Sequence, residues 1–464
     1  MRRATASHLF IAFAWAAMPA GAHAAPASVV ELPDDPAATT PPPAVHALPI
    51  RSQLDDLAVR PDGTIIVATE SNATYSSRPP RPSATAVRFG PADLQLPTLV
   101  LQRPASSLQT TQTAVTVTGA VTAWASGRKP AVAWVQETAD DGTASPPQQL
   151  SSPGRSAWPI EAASGGGTTA VAFIEDAAGA RRGQTLHIAV RAAGSASYRA
   201  VAVPRRAAMR DFYEARMAFG ASGDGALLGW SNERRAASLW RIAPDGTVGP
   251  EMVVPLGRPG YVDALLAVGD DGTIAATFGI DRPGRDEVLI VQSTPAATTL
   301  APPYRVMASP GTSLSTQGVG LAVSPSGGVL ASFGAGDGSQ VLVEGHGRSL
   351  RRTDLPYVDG GSTVVAWMPD GTPVAVFEQQ DTSTGPAQLV AVRGRAEGGF
   401  HRPTPIAAGL TPAASVDAVR APSRALVEPA RLRALAPAAD GSAVLAWTTY
   451  DGRRERLFVA RISP

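Results

Sequence analysis

A hairpin that keeps returning constrains this chain more than any other feature. "LAVRPDGTIIVAT" at residues 57–69 is echoed by "LAVGDDGTIAATF" at 266–278, "LAVSPSGGVLASF" at 321–333, "VAWMPDGTPVAVF" at 365–377 and "LAPAADGSAVLAW" at 435–447. Each copy has two arms of alternating apolar residues around a tight Asp-Gly or Ser-Gly turn, which is the pattern of a β-hairpin. An aromatic follows the turn glycine at a fixed offset: Phe278 after Gly272, Phe333 after Gly327, Phe377 after Gly371 and Trp447 after Gly441. Weaker copies place Phe173 after Gly167, Trp230 after Gly225 at one residue less, and Trp134 after "GRKPAVA". The count reaches eight units, spaced by about forty to seventy residues, which suits four-stranded propeller blades with unequal loops.

Further strands follow each hairpin. Apolar runs such as "LHIAV" from Leu186, "EVLIV" from Glu287 and "QLVAV" from Gln388 read as third strands. "YRAVAV" from Tyr198, "EMVVPL" from Glu251 and "YRVMA" from Tyr304 read as fourth strands, each ending in turn residues. The second unit looks one strand short around Thr138 to Pro147, so seven blades is the alternative count. The last unit stops at "RLFVARI" with one strand missing, while "AVHALPI" from Ala44 to Ile50 precedes the first hairpin without a partner. Joining the two would close the ring and remove its exposed edges. The expected fold is therefore all-β: one propeller over residues 44–464, most simply of eight blades, closed by an N-terminal strand.

The residues before it read as address and spacer. Arg2 and Arg3 precede the apolar run "LFIAFAWAAM", and "AHA" at residues 22–24 supplies the small residues that a signal peptidase requires. A signal peptide over 1–24, cut after Ala24, and an extended proline-rich linker over 25–43 are expected. The protein would then be secreted, or periplasmic in a Gram-negative cell, with no membrane span remaining. The chain has no cysteine, which removes thiol nucleophiles, zinc–cysteine sites and disulfides; a large core makes the last unnecessary. Lys and Arg number 40 against 39 Asp and Glu, and loss of Arg2 and Arg3 leaves a near-neutral chain, a poor match for nucleic acid. The only lysine, Lys129, is followed by Pro130, so no phosphate-binding Gly-Lys-Ser/Thr loop exists.

The "SPSG" and "PDGT" hairpins resemble the repeats of TolB-type and other secreted bacterial propellers over nearly all of the mature chain. That resemblance implies blade architecture and no single function, because such hairpins occur in binding proteins and in enzymes. Sialidases carry an Asp-box, Ser-x-Asp-x-Gly-x-Thr-Trp, at this same turn. "VRPDGTI" and "GDDGTI" keep its Asp and Gly but lack the leading Ser/Thr and the closing aromatic.

Catalytic motifs are scarce. Gly-x-Ser-x-Gly is absent, and His46, His187, His346 and His401 stand apart without metal-ligand spacing. The acidic pairs Asp140–Asp141 and Asp270–Asp271 lack the alternating oxygens of a calcium loop and suit turns instead. Neither a metal nor a cofactor is implied. What remains is the innermost strand of each blade, because propeller ligands meet the strand ends at one mouth of the channel. Asp55, Asp56, Glu161, Glu214, Arg216, Asp263, Asp359, Arg431 and Arg433 place charge there, accompanied by Tyr213 and Gln317. Such a ring can hold an anionic or polyhydroxylated ligand, with arginines as bidentate donors, or it can be solvated lining whose charges neutralise one another. Arg216, Asp263 and Arg433 are the first candidates, and Asp263 with Glu214 could serve as acid and base on a glycosidic bond. The sequence thus suggests a secreted binding or scaffold module for an extracellular protein or a glycan. The alternative is a sialidase-like carbohydrate-active hydrolase or lyase, so whether the chain is an enzyme stays open at this point.

Overall fold

The computed structural model describes residues 45–47, 52–71, 83–91, 95–102, 108–127, 130–176, 184–204, 214–230, 236–257, 261–281, 287–307, 320–334, 340–347, 349–355, 363–380, 387–395, 398–406, 428–450 and 455–462. The expected leader over 1–24 and linker over 25–43 lie outside them.

Among the described residues, strands build eight four-stranded antiparallel sheets, seven of them meanders in chain order. Blade 1 runs from Ser52 to Gln102, blade 2 from Leu108 to Gln149, blade 3 from Ala157 to Ala202 and blade 4 from Glu214 to Pro255. Blade 5 runs from Tyr261 to Met307, blade 6 from Gly320 to Leu355, blade 7 from Thr363 to Pro405 and blade 8 from Glu428 to Ile462. The first strand of each blade lies against the first strand of the next, and blade 8 returns to blade 1, so the ring is closed. The eighth sheet takes its fourth strand from the other end of the chain, with Val45 opposite Ala460, His46 opposite Val459 and Ala47 opposite Phe458. The seven-blade alternative is excluded. Blade 2 does have a fourth strand, reduced to Gln148–Gln149 against Val135 and Trp134.

The second strand of each blade is apolar on both faces because a blade is covered on both sides, and its residues alternate between the two neighbours. In blade 1, Ile65 and Val67 pack towards blade 8 while Ile66 and Ala68 pack towards blade 2. The apolar cores follow this rule around the whole ring: eight clusters, each spanning one junction between adjacent blades. Phe173, Phe278, Phe333 and Phe377 are fully buried, and with Trp447 they face the preceding blade.

Two aromatics depart from the spacing expected of them. The turn glycine of blade 4 is Gly223, at φ +85°, rather than Gly225, so Trp230 falls seven residues after the turn. One extra residue reverses the face in a strand, and Trp230 packs towards blade 5 instead of blade 3. Trp134 lies in the third strand of blade 2 and is only half-buried; the second strand, Gly119–Ser126, carries Trp124 opposite it.

A belt of polar side chains adds to the apolar junctions. Third-strand residues opposite the second position of the neighbouring strand are Arg88, Arg191, Arg241, Gln292, Glu344, Arg393 and Arg461 in blades 1 and 3–8. Five of them reach the next blade's turns. Arg88 Nη1 donates to Asp140 O at 2.8 Å, Arg241 Nη1 to Gly272 O at 2.6 Å and Arg461 Nη2 to Gly63 O at 2.8 Å, the last across the closure. Where the residue is an acceptor the polarity inverts: Gly347 N donates to Gln292 Oε1 at 3.0 Å and Gly399 N to Glu344 Oε1 at 2.7 Å. Arg191 turns the other way, to Glu137 of blade 2.

Candidate functional site

Three successive inner strands bring charge to one place. Glu161 sits on the first strand of blade 3, Glu214 and Arg216 on that of blade 4, and Asp263 on that of blade 5. Arg216 is the hub: its Nη1 lies 3.3 Å from Glu161 Oε2, and its guanidinium acts electrostatically on Glu214 and Asp263. The Arg216 Cζ is 5.8 Å from the ring centroid of Trp230, within range of a cation–π contact. The out-of-phase tryptophan is therefore what backs the arginine, and Trp230 Nε1 in turn donates to Val262 O at 3.2 Å in blade 5.

Blade 1 adds Asp56. Its Oδ2 accepts from Val115 N at 2.7 Å and its Oδ1 from Leu57 N at 2.8 Å, while Asp55 Oδ2 accepts from Thr113 Oγ1 at 2.5 Å. Both aspartates thus tie blade 1 to the inner strand of blade 2. A register irregularity between Leu54 and Asp56 puts the two successive carboxylates there, and a second one between Pro159 and Glu161 precedes Glu161. Bulges of this kind re-aim side chains where an ideal ladder would not.

Crowding by protein raises the carboxyls of Glu161, Glu214, Asp263 and Asp56 above their ordinary range. Burial pushes Glu161 up to about 7, with Asp56 adding to the rise and Arg216 opposing it; its side chain is 22% exposed. Burial also raises Glu214, aided by Asp263 and opposed by Arg216. Asp263 rises by burial against Arg216 and the Ala264 N–H, and Asp56 by burial against its two backbone donors. A carboxyl poised near neutrality can donate a hydrogen bond as an acid or accept one as a base, so this rim can engage hydroxyl groups in either role. Among the described residues no three Asp, Glu or His side chains form a set able to hold a metal ion.

Two further candidates lie on blade 8. Arg433 is on blade 8, across the ring from blade 4, where its Nε donates to Thr448 Oγ1 of its own blade at 3.1 Å. Arg431 pairs through its backbone opposite Thr448. Tyr213, Gln317 and Asp359 fall outside the described residues.

No protein-family model matches the chain, and no curated protein does. Among solved structures it is similar to an intramolecular trans-sialidase from Ruminococcus gnavus, at 8% identity over 71% of this chain and 90% of that one, TM-score 0.37. It is also similar to the periplasmic gluconolactonase PpgL of Pseudomonas aeruginosa, at 14% identity over 75% and 84%, TM-score 0.38. A third is the polysaccharide lyase Uly1, at 9% identity over 88% and 89%, TM-score 0.44. These are likenesses of architecture and carry no residue or activity over to this chain.

Proposed function

We propose that this protein is an exported binding propeller whose ligand seats on the inner rim of blades 3–5, around Arg216. The supporting observation is the gathering of Glu161, Glu214 and Asp263 about one guanidinium from three different strands. With carboxylates outnumbering cations there, a neutral polyhydroxylated ligand such as a glycan fits better than an anion, because hydroxyls can pair with both the arginine and the carboxyls. In an extracellular panel of immobilised neutral glycans the wild type is expected to be retained. Arg216→Gln should lose retention by about 10- to 100-fold while its melting temperature stays within a few degrees. Equal retention of the two proteins would refute the site.

One observation favours a second reading, a carbohydrate-active hydrolase or lyase. Glu161, pushed up to about 7, would be the proton donor, and Asp263, close to the Arg216 guanidinium that opposes its rise, the base. Release of reducing ends from a bound glycan, abolished in Glu161→Gln, would select that reading over binding alone.

Export rests on the leader: Arg2, Arg3, the apolar run and "AHA". The mature protein recovered from a bacterial host should begin at Ala25. Recovery of an intact Met1 terminus outside the cytoplasm would rule cleavage out.

A further inference from the structure

A second site, distinct from the rim, is built between blades 6 and 7. There a cleft of about 610 Å³ is lined by the outer hairpin of blade 6 and the turns of blade 7, with Glu344, Arg351, Trp367, Asp370 and Arg395 as its chemistry-bearing residues. Each of its two carboxylates already has a donor. Glu344, buried at the junction, takes Arg351 Nη2 at 2.8 Å and Gly399 N at 2.7 Å on the same oxygen. Asp370 Oδ1 takes Thr372 N at 2.9 Å, and its other oxygen faces Arg393 at 3.9 Å.

Two of its donors lack an acceptor. Trp367 Nε1 and Arg395 Nε are shielded from water and make no hydrogen bond, and among the described residues the Arg395 guanidinium has no acidic partner. Buried donors without acceptors are uncommon because each forfeits its hydration. Arg351, by contrast, is fixed in place: Gly398, at φ +88°, leaves room for it, since a Cβ there would fall 1.6 Å from Arg351 Nη2.

From this surplus of donors we infer that the cleft binds an acidic sugar, a hexuronate unit. Its carboxylate would lie between Arg395 and Arg351, and its ring would rest on Trp367. A planar carboxylate matches the guanidinium fork, and an indole offers both a donor and an apolar face for a pyranose. Seating requires the half-buried Arg395 guanidinium to swing into the cleft and the half-buried Trp367 indole to turn its N–H towards it, rotamer changes available to side chains beside turns.

Saturation-transfer NMR on the full mature chain tests this with glucuronate and galacturonate, using glucose and galactose as uncharged counterparts and sulfate as a bare oxyanion. The uronates should show transfer that depends on the cleft, whereas any transfer from the neutral sugars, which the rim can supply, should be indifferent to the cleft variants. Arg395→Gln should weaken uronate binding by about 10- to 100-fold. Trp367→Phe, which keeps a ring and removes the N–H, should weaken it as well, and keeps the test open should the first variant misfold. Arg216→Gln should leave uronate binding unchanged, which separates this cleft from the rim. Absence of uronate transfer in the wild type, uronate binding indifferent to both cleft variants, or sulfate binding as tightly as the uronates would each overturn the assignment.

Discussion

Replacing Phe278 with alanine should lower the stability of the propeller by about 3–5 kcal/mol. The ring is fully buried in the junction between blades 4 and 5, among Ile274, Ala276, Ile280 and the blade 4 residues Leu228 and Trp230. Both blades are sheets whose backbones are fixed by hydrogen bonds, so neither can collapse into the vacated volume, and the cavity term adds to the lost transfer energy. The same truncation at Trp134 should cost much less, about 1–2 kcal/mol, because that side chain is half-buried on an outer strand. Urea midpoints of the two variants check this. A loss under about 1 kcal/mol at Phe278, or an equal loss at Trp134, would show that the junction packing is misassigned.

The second large effect is pH-dependent and of opposite sign. Glu161 titrates near 7 in the folded chain against an ordinary 4.5, so between those values the native state holds a proton that the unfolded chain has released. Stability therefore falls as pH rises through that window and levels off above it, by up to about 3 kcal/mol for this one group. Asp56, Glu214 and Asp263 are raised as well and tilt the curve the same way. Glu161→Gln should consequently be more stable than the wild type at pH 8 and little different at pH 4. That is the behaviour expected of a charge held for binding, the role proposed for this rim, against the interest of folding. A Gln variant less stable at pH 8 would mean that the Arg216 pair outweighs the burial of the carboxylate.

Much of the architecture was legible because the hairpin states its own register. A turn glycine fixes where the two arms meet, and an aromatic at constant offset then fixes which face enters the junction, as with Gly272 and Phe278. The same logic shows why the sequence misplaces Trp230: the turn "SGDG" offers two glycines, Gly223 and Gly225, and only the backbone reveals that Gly223 takes the left-handed position. Ring closure was readable from an unpaired segment at one end and a missing strand at the other. The polar belt was not, since Arg88, Arg241 and Arg461 share a position only once third strands are registered on second strands, which irregular loops conceal. The inner-strand charges were visible in the sequence as individuals. Their grouping was not: Glu161, Arg216 and Asp263 meet because blades 3, 4 and 5 are neighbours, whereas Arg433 sits across the ring.

That grouping is read most directly by the carboxyl of Glu161 itself. A site-resolved carbon-13 NMR titration of the mature chain, repeated in Arg216→Gln, should give a midpoint near 7 in the wild type. The midpoint should be higher still in the variant, where burial and Asp56 act without the opposing guanidinium. A wild-type midpoint in the ordinary range near 4.5, unmoved by loss of Arg216, would mean that the three inner strands do not converge and that no such site exists.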